Sequence, residues 1–290
     1  MIKVTNLTKK FKNGKGIFDL NFEVKKGEVF AFIGPNGAGK STTIRHLMGF
    51  LKADEGNAEI LGYDCWKEPE KIKESIGYLP GEIVFPEGMS AKDFLAFQRK
   101  IRNIDSEESV QKLVKRFKLN IDIPIKKMSK GMKQKLAIVA AFMGDPEIIF
   151  LDEPSTGLDP LMQDELIKLF TEKKKEGKTI FLSSHIFEEI ETIADTICII
   201  KNGKIVEYTK LNDISEEIHS KAIVTFINEE DIKNLKMNYK KVKGNVIEID
   251  INNNINKIIK NLANCDVEKL EIKQATLRDI FKKYYEEEYK

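Results

Sequence analysis

A chain of 290 residues, 41% hydrophobic and 32% charged, is long enough for one large or two modest packed domains, and this composition excludes disorder as the default state. The formal net charge is +2 with both signs interspersed, which excludes a global field selecting nucleic acid as partner. Cys65, Cys198 and Cys265 are odd in number and far apart, so they fit neither a disulfide framework nor a zinc cluster and point to a reducing compartment.

Residues 1–7 lack a charged stretch followed by an apolar core, so no secretion signal is expected. No apolar run approaches the roughly 18 residues that span a bilayer, so the chain is not expected to cross a membrane by itself. The run 29–33 reads as a buried strand, and Gly34-Pro35-Asn36-Gly37-Ala38-Gly39-Lys40-Ser41-Thr42 follows it and opens a helix. In that context the glycines permit tight turns whose N–H groups, with the helix N-terminus, converge on phosphate oxygens. Lys40 supplies a point charge for the β- and γ-phosphates, Ser41 a hydroxyl for Mg²⁺, and the N–H groups of Ser41 and Thr42 face the phosphates.

From about residue 82 to 146 the pattern is mostly helical, with Phe94, Phe97 and Ile101 on one face of the segment 91–102. Met128-Ser129-Lys130-Gly131-Met132 precedes a helical pattern over 133–143 and offers a second helix start to an anion, or Ser129 as a simple N-cap. The strand 148–151 then delivers Asp152 and Glu153 to its C-terminal edge, where open α/β sheets bind ligands. Asp152 suits Mg²⁺ and Glu153 suits the orientation and deprotonation of water. His185 follows another apolar run, 180–182, where it can donate to a γ-phosphate. Cys198, within the run 197–200, reads as a small buried hydrophobe.

Lys201-Asn202-Gly203-Lys204 predicts a hairpin turn, and a domain boundary is expected near residue 210. Beyond it, 222–227 and 246–251 read as strands, the second burying Ile247, Ile249 and Ile251. Leu277, Ile280, Phe281 and Tyr284 share a helical face, and Glu286, Glu287 and Glu288 oppose the dipole at that helix's end.

The order and spacing of these pieces resemble the ATP-binding subunits of ABC transporters over about residues 1–210. In that family's terms, 34–42 matches the Walker A loop, 129–132 the signature loop, 148–153 the Walker B strand and Ser155-Thr156-Gly157-Leu158-Asp159 the D-loop. His185 matches the switch histidine, and Phe11 the aromatic that stacks on adenine. The resemblance implies an α/β P-loop NTPase core with antiparallel β and helical subdomains, to which residues 211–290 add a small α/β accessory domain. It implies Mg²⁺-dependent ATP hydrolysis with Lys40, Glu153 and His185 as catalytic residues and Ser41 and Asp152 on the metal. Nucleotide contacts are expected from Phe11, Gly34, Asn36, Gly37, Gly39, Lys40, Ser41, Thr42, Ser129, Gly131 and Asp159. It further implies a homodimer or heterodimer sandwiching two ATP molecules, with Ser129 and Gly131 of one subunit reaching the nucleotide on Lys40 of the other. The dimer is expected at the cytoplasmic face of the membrane, bound to a separately encoded integral membrane subunit. The Ser-Lys-Gly-Met signature and the ending Thr276-Leu277-Arg278-Asp279-Ile280-Phe281 resemble the drug- and antibiotic-export branch. One departure stands out: Gly81 occupies the place of a glutamine that touches Mg²⁺ and communicates with the membrane subunit. It motivates the alternative of a soluble regulatory or interaction switch.

Overall fold

The computed structural model describes residues 1–213, 220–233, 235–251, 255–273 and 276–285. The chain divides into two compact units, Met1–Lys210 and Leu211–Lys290.

The first unit is organised by two sheets. Strands β1 (Ile2–Lys10), β2 (Gly16–Val24), β4 (Glu55–Ile60) and β5 (Tyr63–Asp64) form an antiparallel sheet of order β2-β1-β4-β5. Strands β3 (Val29–Ile33), β6 (Ile76–Leu79), β7 (Ile148–Asp152), β8 (Thr179–Ser184), β9 (Thr196–Lys201) and β10 (Lys204–Lys210) form the second, of order β10-β9-β3-β8-β7-β6. It is parallel from β9 to β6, and β10 returns antiparallel through the Asn202-Gly203 turn. Every residue of β3, β7 and β8 is buried, as near-continuous apolar runs in a parallel sheet require. Phenylalanines join the two sheets: Phe22 lies 5.3 Å from Phe30, which lies 5.2 Å from Phe181, itself 5.2 Å from Phe150. Such contacts add to the large apolar area these rings bury.

Seven α-helices accompany these sheets among the described residues: α1 (Lys40–Leu47), α2 (Pro69–Lys73), α3 (Ala91–Ile101), α4 (Glu107–Arg116), α5 (Lys130–Phe142), α6 (Pro160–Lys175) and α7 (Phe187–Ile193). The helical segment starts later than its expected onset near 82, because Pro80, Gly81, Pro86 and Gly88 interrupt the chain until Ser90. There Ser90 and Asp93 close a capping box over the first turn of α3. The face of Phe94, Phe97 and Ile101 is only partly covered. Ala91, Phe94 and Leu95 are buried, whereas Phe97 and Ile101 are exposed. Helix α5 likewise begins at Lys130 rather than 133, since the Ser129 hydroxyl accepts from the Met132 N–H at 3.2 Å and caps it.

In the second unit, β11 (Ser220–Phe226), α8 (Glu230–Lys233), β12 (Lys240–Lys243), β13 (Val246–Ile251), α9 (Ile255–Leu262) and β14 (Val267–Lys273) follow one another before α10 (Leu277–Tyr285). The sheet order β12-β13-β11-β14, with every neighbouring pair antiparallel, is that of a ferredoxin-like βαββαβ unit. Its core gathers Val224, Phe226, Ile247, Ile249, Ile258 and Leu262. Leu277 of α10 is buried, while Glu286, Glu287 and Glu288 lie outside the described residues.

Candidate active site

Strand β3 pairs with β8 on one side and β9 on the other, so the loop leaving its C-terminal end emerges mid-sheet, where a ligand crevice is expected. Gly34 is buried at the start of that loop, and Asn36 and Gly37 are exposed on it. Gly39, at φ 116°, turns the chain into α1 and leaves the first N–H groups of the helix without a side-chain cap. A Cβ there would stand 2.7 Å from Ile17 Cγ2, so glycine is required on both counts. Lys40 is 7% exposed, and its ammonium donates to the carbonyls of Gly34 at 2.6 Å and Pro35 at 3.3 Å. Ser41 is exposed on the outer side of the first turn, and Thr42 is half-buried beside it. Uncapped N–H groups, a helix N-terminus and a confined ammonium together make an anion site.

Asp152 ends β7, is 2% exposed, and carries an Oδ1 atom without a hydrogen-bond partner. A buried, unsatisfied carboxylate oxygen beside a serine hydroxyl fits a divalent cation that takes a few protein oxygens and completes its shell from phosphate and water. Ser41, Asp152 and Glu153 line one cavity of about 490 Å³ with Arg45, Tyr78 and Gly81. Burial, reinforced by the Asp152 charge, pushes the Tyr78 hydroxyl up to about 12, so it stays protonated. At Gly81 a Cβ would lie 2.9 Å from Asp152 Oδ2. Glycine at this position thus lets the backbone approach the carboxylate that a side chain would otherwise push away.

Glu153 sits at φ 53°, a left-handed backbone unusual for a residue with a side chain. Its N–H donates to the Ser183 carbonyl at 2.8 Å, which fixes the turn against β8. From there one carboxylate oxygen lies 3.4 Å from the Lys40 ammonium and the other 2.5 Å from His185 Nδ1. The structure therefore brings Lys40, Glu153 and His185 into one continuous polar chain at the C-terminal edge of the sheet.

Ser129, Gly131 and Asp159 form a second group. A Cβ on Gly131 would lie 2.7 Å from the Gly157 carbonyl oxygen, so the start of α5 packs directly on the loop that follows Glu153. Asp159 caps α6, accepting from the Met162 N–H at 3.1 Å, and faces Lys135 at 4.0 Å. Gln134, which sequence reasoning did not single out, is buried and donates to the Pro154 carbonyl at 2.7 Å. It ties this group to the Glu153 turn. Phe11 lies in the turn between β1 and β2, closed by its N–H donating to the Lys15 carbonyl at 2.8 Å, and is 39% exposed. Strand β2 begins beside the phosphate loop, as the Ile17 approach to Gly39 shows, so the ring stands on a hairpin anchored at that loop.

A family model described as "ABC transporter" matches residues 17–156. The Bacitracin transport ATP-binding protein BcrA of Bacillus licheniformis is 38% identical over 210 residues, covering 71% of this chain and 69% of that protein. The uncharacterized ABC transporter ATP-binding protein YhaQ of Bacillus subtilis (strain 168) is 30% identical over 298 residues, 97% of either chain, and so extends through the second unit. A solved structure of an ATP-binding subunit of an ABC transporter superposes with a TM-score of 0.69 at 33% identity, covering 75% of this chain and 92% of that one.

Proposed function

Because this chain belongs to the ATP-binding subunits of ABC transporters, we propose that it is the ATPase of an exporter, working at the cytoplasmic face against a separately encoded membrane subunit. The observation that carries the catalytic reading is the chain Lys40, Glu153, His185 beside the uncapped start of α1. The loop N–H groups and the α1 N-terminus bind the β- and γ-phosphates of ATP. Lys40 exchanges its carbonyl partners for phosphate oxygens and stabilises the charge that spreads over the γ-phosphoryl group. Ser41 and Asp152 would hold Mg²⁺, which when bound neutralises phosphate charge as a Lewis acid. Glu153 orients the attacking water and accepts its proton, and His185, steered by Glu153, supports the γ-phosphate.

In the dimer that the family forms, Ser129 and Gly131 of one subunit complete the nucleotide site of another, identical or not. Export rests on the likeness to a bacitracin transport protein and on the signature and terminal motifs. No described helix is long and apolar enough to cross a membrane. Glu153→Gln in the purified chain is expected to lower turnover roughly 10²- to 10⁴-fold while ATP binding persists. Unchanged turnover would defeat the assignment of Glu153. The same variant, loaded with ATP and Mg²⁺ and incubated with detergent-solubilised membranes, is expected to retain an integral membrane protein. Recovery of soluble partners alone would favour the regulatory switch.

A further inference from the structure

Helix α7 carries Glu189, a carboxylate only 2% exposed. Both of its oxygens are engaged: Ser155 Oγ donates to Oε1 at 2.8 Å and Ser184 Oγ donates to Oε2 at 3.1 Å. The serines are themselves buried, and Ser184 Oγ also accepts from the Ile186 N–H at 3.1 Å. Ser155 stands two residues after Glu153, and Ser184 one residue before His185. The links therefore close a ring: from Glu153 along the chain to Ser155, across Glu189 to Ser184, along the chain to His185, and back through the 2.5 Å contact to Glu153.

An anchor that served stability alone would not be built this way. Taking a carboxylate out of water costs several kcal/mol, and well-packed apolar residues in such positions are often as stabilising or more so. Burial raises the carboxyl's pKa, the two serine hydroxyls oppose that rise, and the nearby Glu153 charge adds to it. What the arrangement supplies instead is geometry. Two hydrogen bonds to one rigid group fix the ends of β7 and β8 relative to each other where the reacting side chains leave the sheet.

We propose that Glu189 is a positioning residue for ATP hydrolysis, holding Glu153 and His185 in mutual register through Ser155 and Ser184. This rests on the reading of Glu153 and His185 given above. Glu189 touches neither phosphate nor water in this role; it acts through the two serines.

The test is steady-state ATPase kinetics of the purified full-length chain with Mg²⁺, alongside binding of a fluorescent ATP analogue. Glu189→Ala is expected to lower kcat by about tenfold or more while KM for ATP and analogue affinity stay within about twofold. Adding Ser155→Ala and Ser184→Ala to it is expected to cost nothing further, because all three act through one network. Glu189→Gln preserves side-chain volume and is expected to recover part of kcat. Full kcat in Glu189→Ala, a loss that tracks analogue affinity, or multiplicative defects in the triple variant would overturn the proposal. If Glu189→Ala does not fold, the Ser155→Ala, Ser184→Ala pair decides: reduced kcat at constant KM supports the ring, and unchanged kcat overturns it. Glu153→Gln run in parallel separates the two failures. If it abolishes turnover while Glu189→Ala is fully active, only the ring fails; if it is itself active, the reading of the site fails.

Discussion

Helices α1 and α5 each carry a glycine where they begin, Gly39 just before the first turn of α1 and Gly131 within that of α5, yet those first turns are finished differently. Gly39 gives α1 no side-chain cap, so its leading N–H groups are left for a ligand. Ser129 caps α5 from within the chain, so that helix start is satisfied until the hydroxyl turns elsewhere. On the proposed function, the difference separates a phosphate cradle built by one chain from a surface that acquires its nucleotide role only when presented to another.

The largest break in this comparison should come at α1. Lys40→Met is expected to weaken ATP binding about 10- to 100-fold, from the loss of charge-assisted hydrogen bonds worth about 1.5–3 kcal/mol each, as read by calorimetric titration. Gly39→Ala forces a side chain into φ 116° and against Ile17. It should cost about 1–3 kcal/mol and weaken nucleotide binding together with the urea midpoint. At α5, by contrast, Ser129→Ala should remove about 1 kcal/mol of stability and leave ATP affinity of the isolated chain unchanged, while turnover of the assembled dimer falls.

The other end of α1 supplies the smallest effect. His46 is 3% exposed, with Nε2 unpartnered, and burial holds its pKa below the ordinary value against the opposing pull of the Leu51 backbone. Below about pH 6.5 the unfolded chain therefore binds a proton that folded His46 resists. Stability rises with pH through this window and falls on acidification from pH 7 to 5. His46→Gln should flatten that part of a melting-temperature profile, and an unaltered slope would exclude His46 as its source.

What could be read before folding tracks how local the physics is. The loop 34–42 announces itself because its glycines and lysine act within nine consecutive positions, and the parallel core because β3, β7 and β8 hold the apolar runs 29–33, 148–151 and 180–182, buried on both faces. The exposure of Phe97 and Ile101 was not legible, because periodicity gives an apolar face without saying what covers it. Strands β1 and β2 carry polar residues on alternate positions and a bulged register, which weakens their pattern. The ferredoxin-like order of the second unit depends on pairing β11 with β13 and β14, remote segments whose register no local motif declares. Glu189 was invisible for a different reason. In Phe187-Glu188-Glu189-Ile190-Glu191 it looks like one more solvated acid, and only the fold sets it apart from its neighbours. Gln134 was hidden in the same way within the helix it serves.

The left-handed backbone at Glu153 has an evolutionary consequence. That conformation is comfortable for glycine and tolerable for asparagine, so replacement by either would relieve strain at a position fastened to Ser183. A population selected only for heat resistance, with no demand on transport, would be drawn to discard this side chain early. Its retention would then serve as a marker that lineages carrying the protein are still using it as an engine.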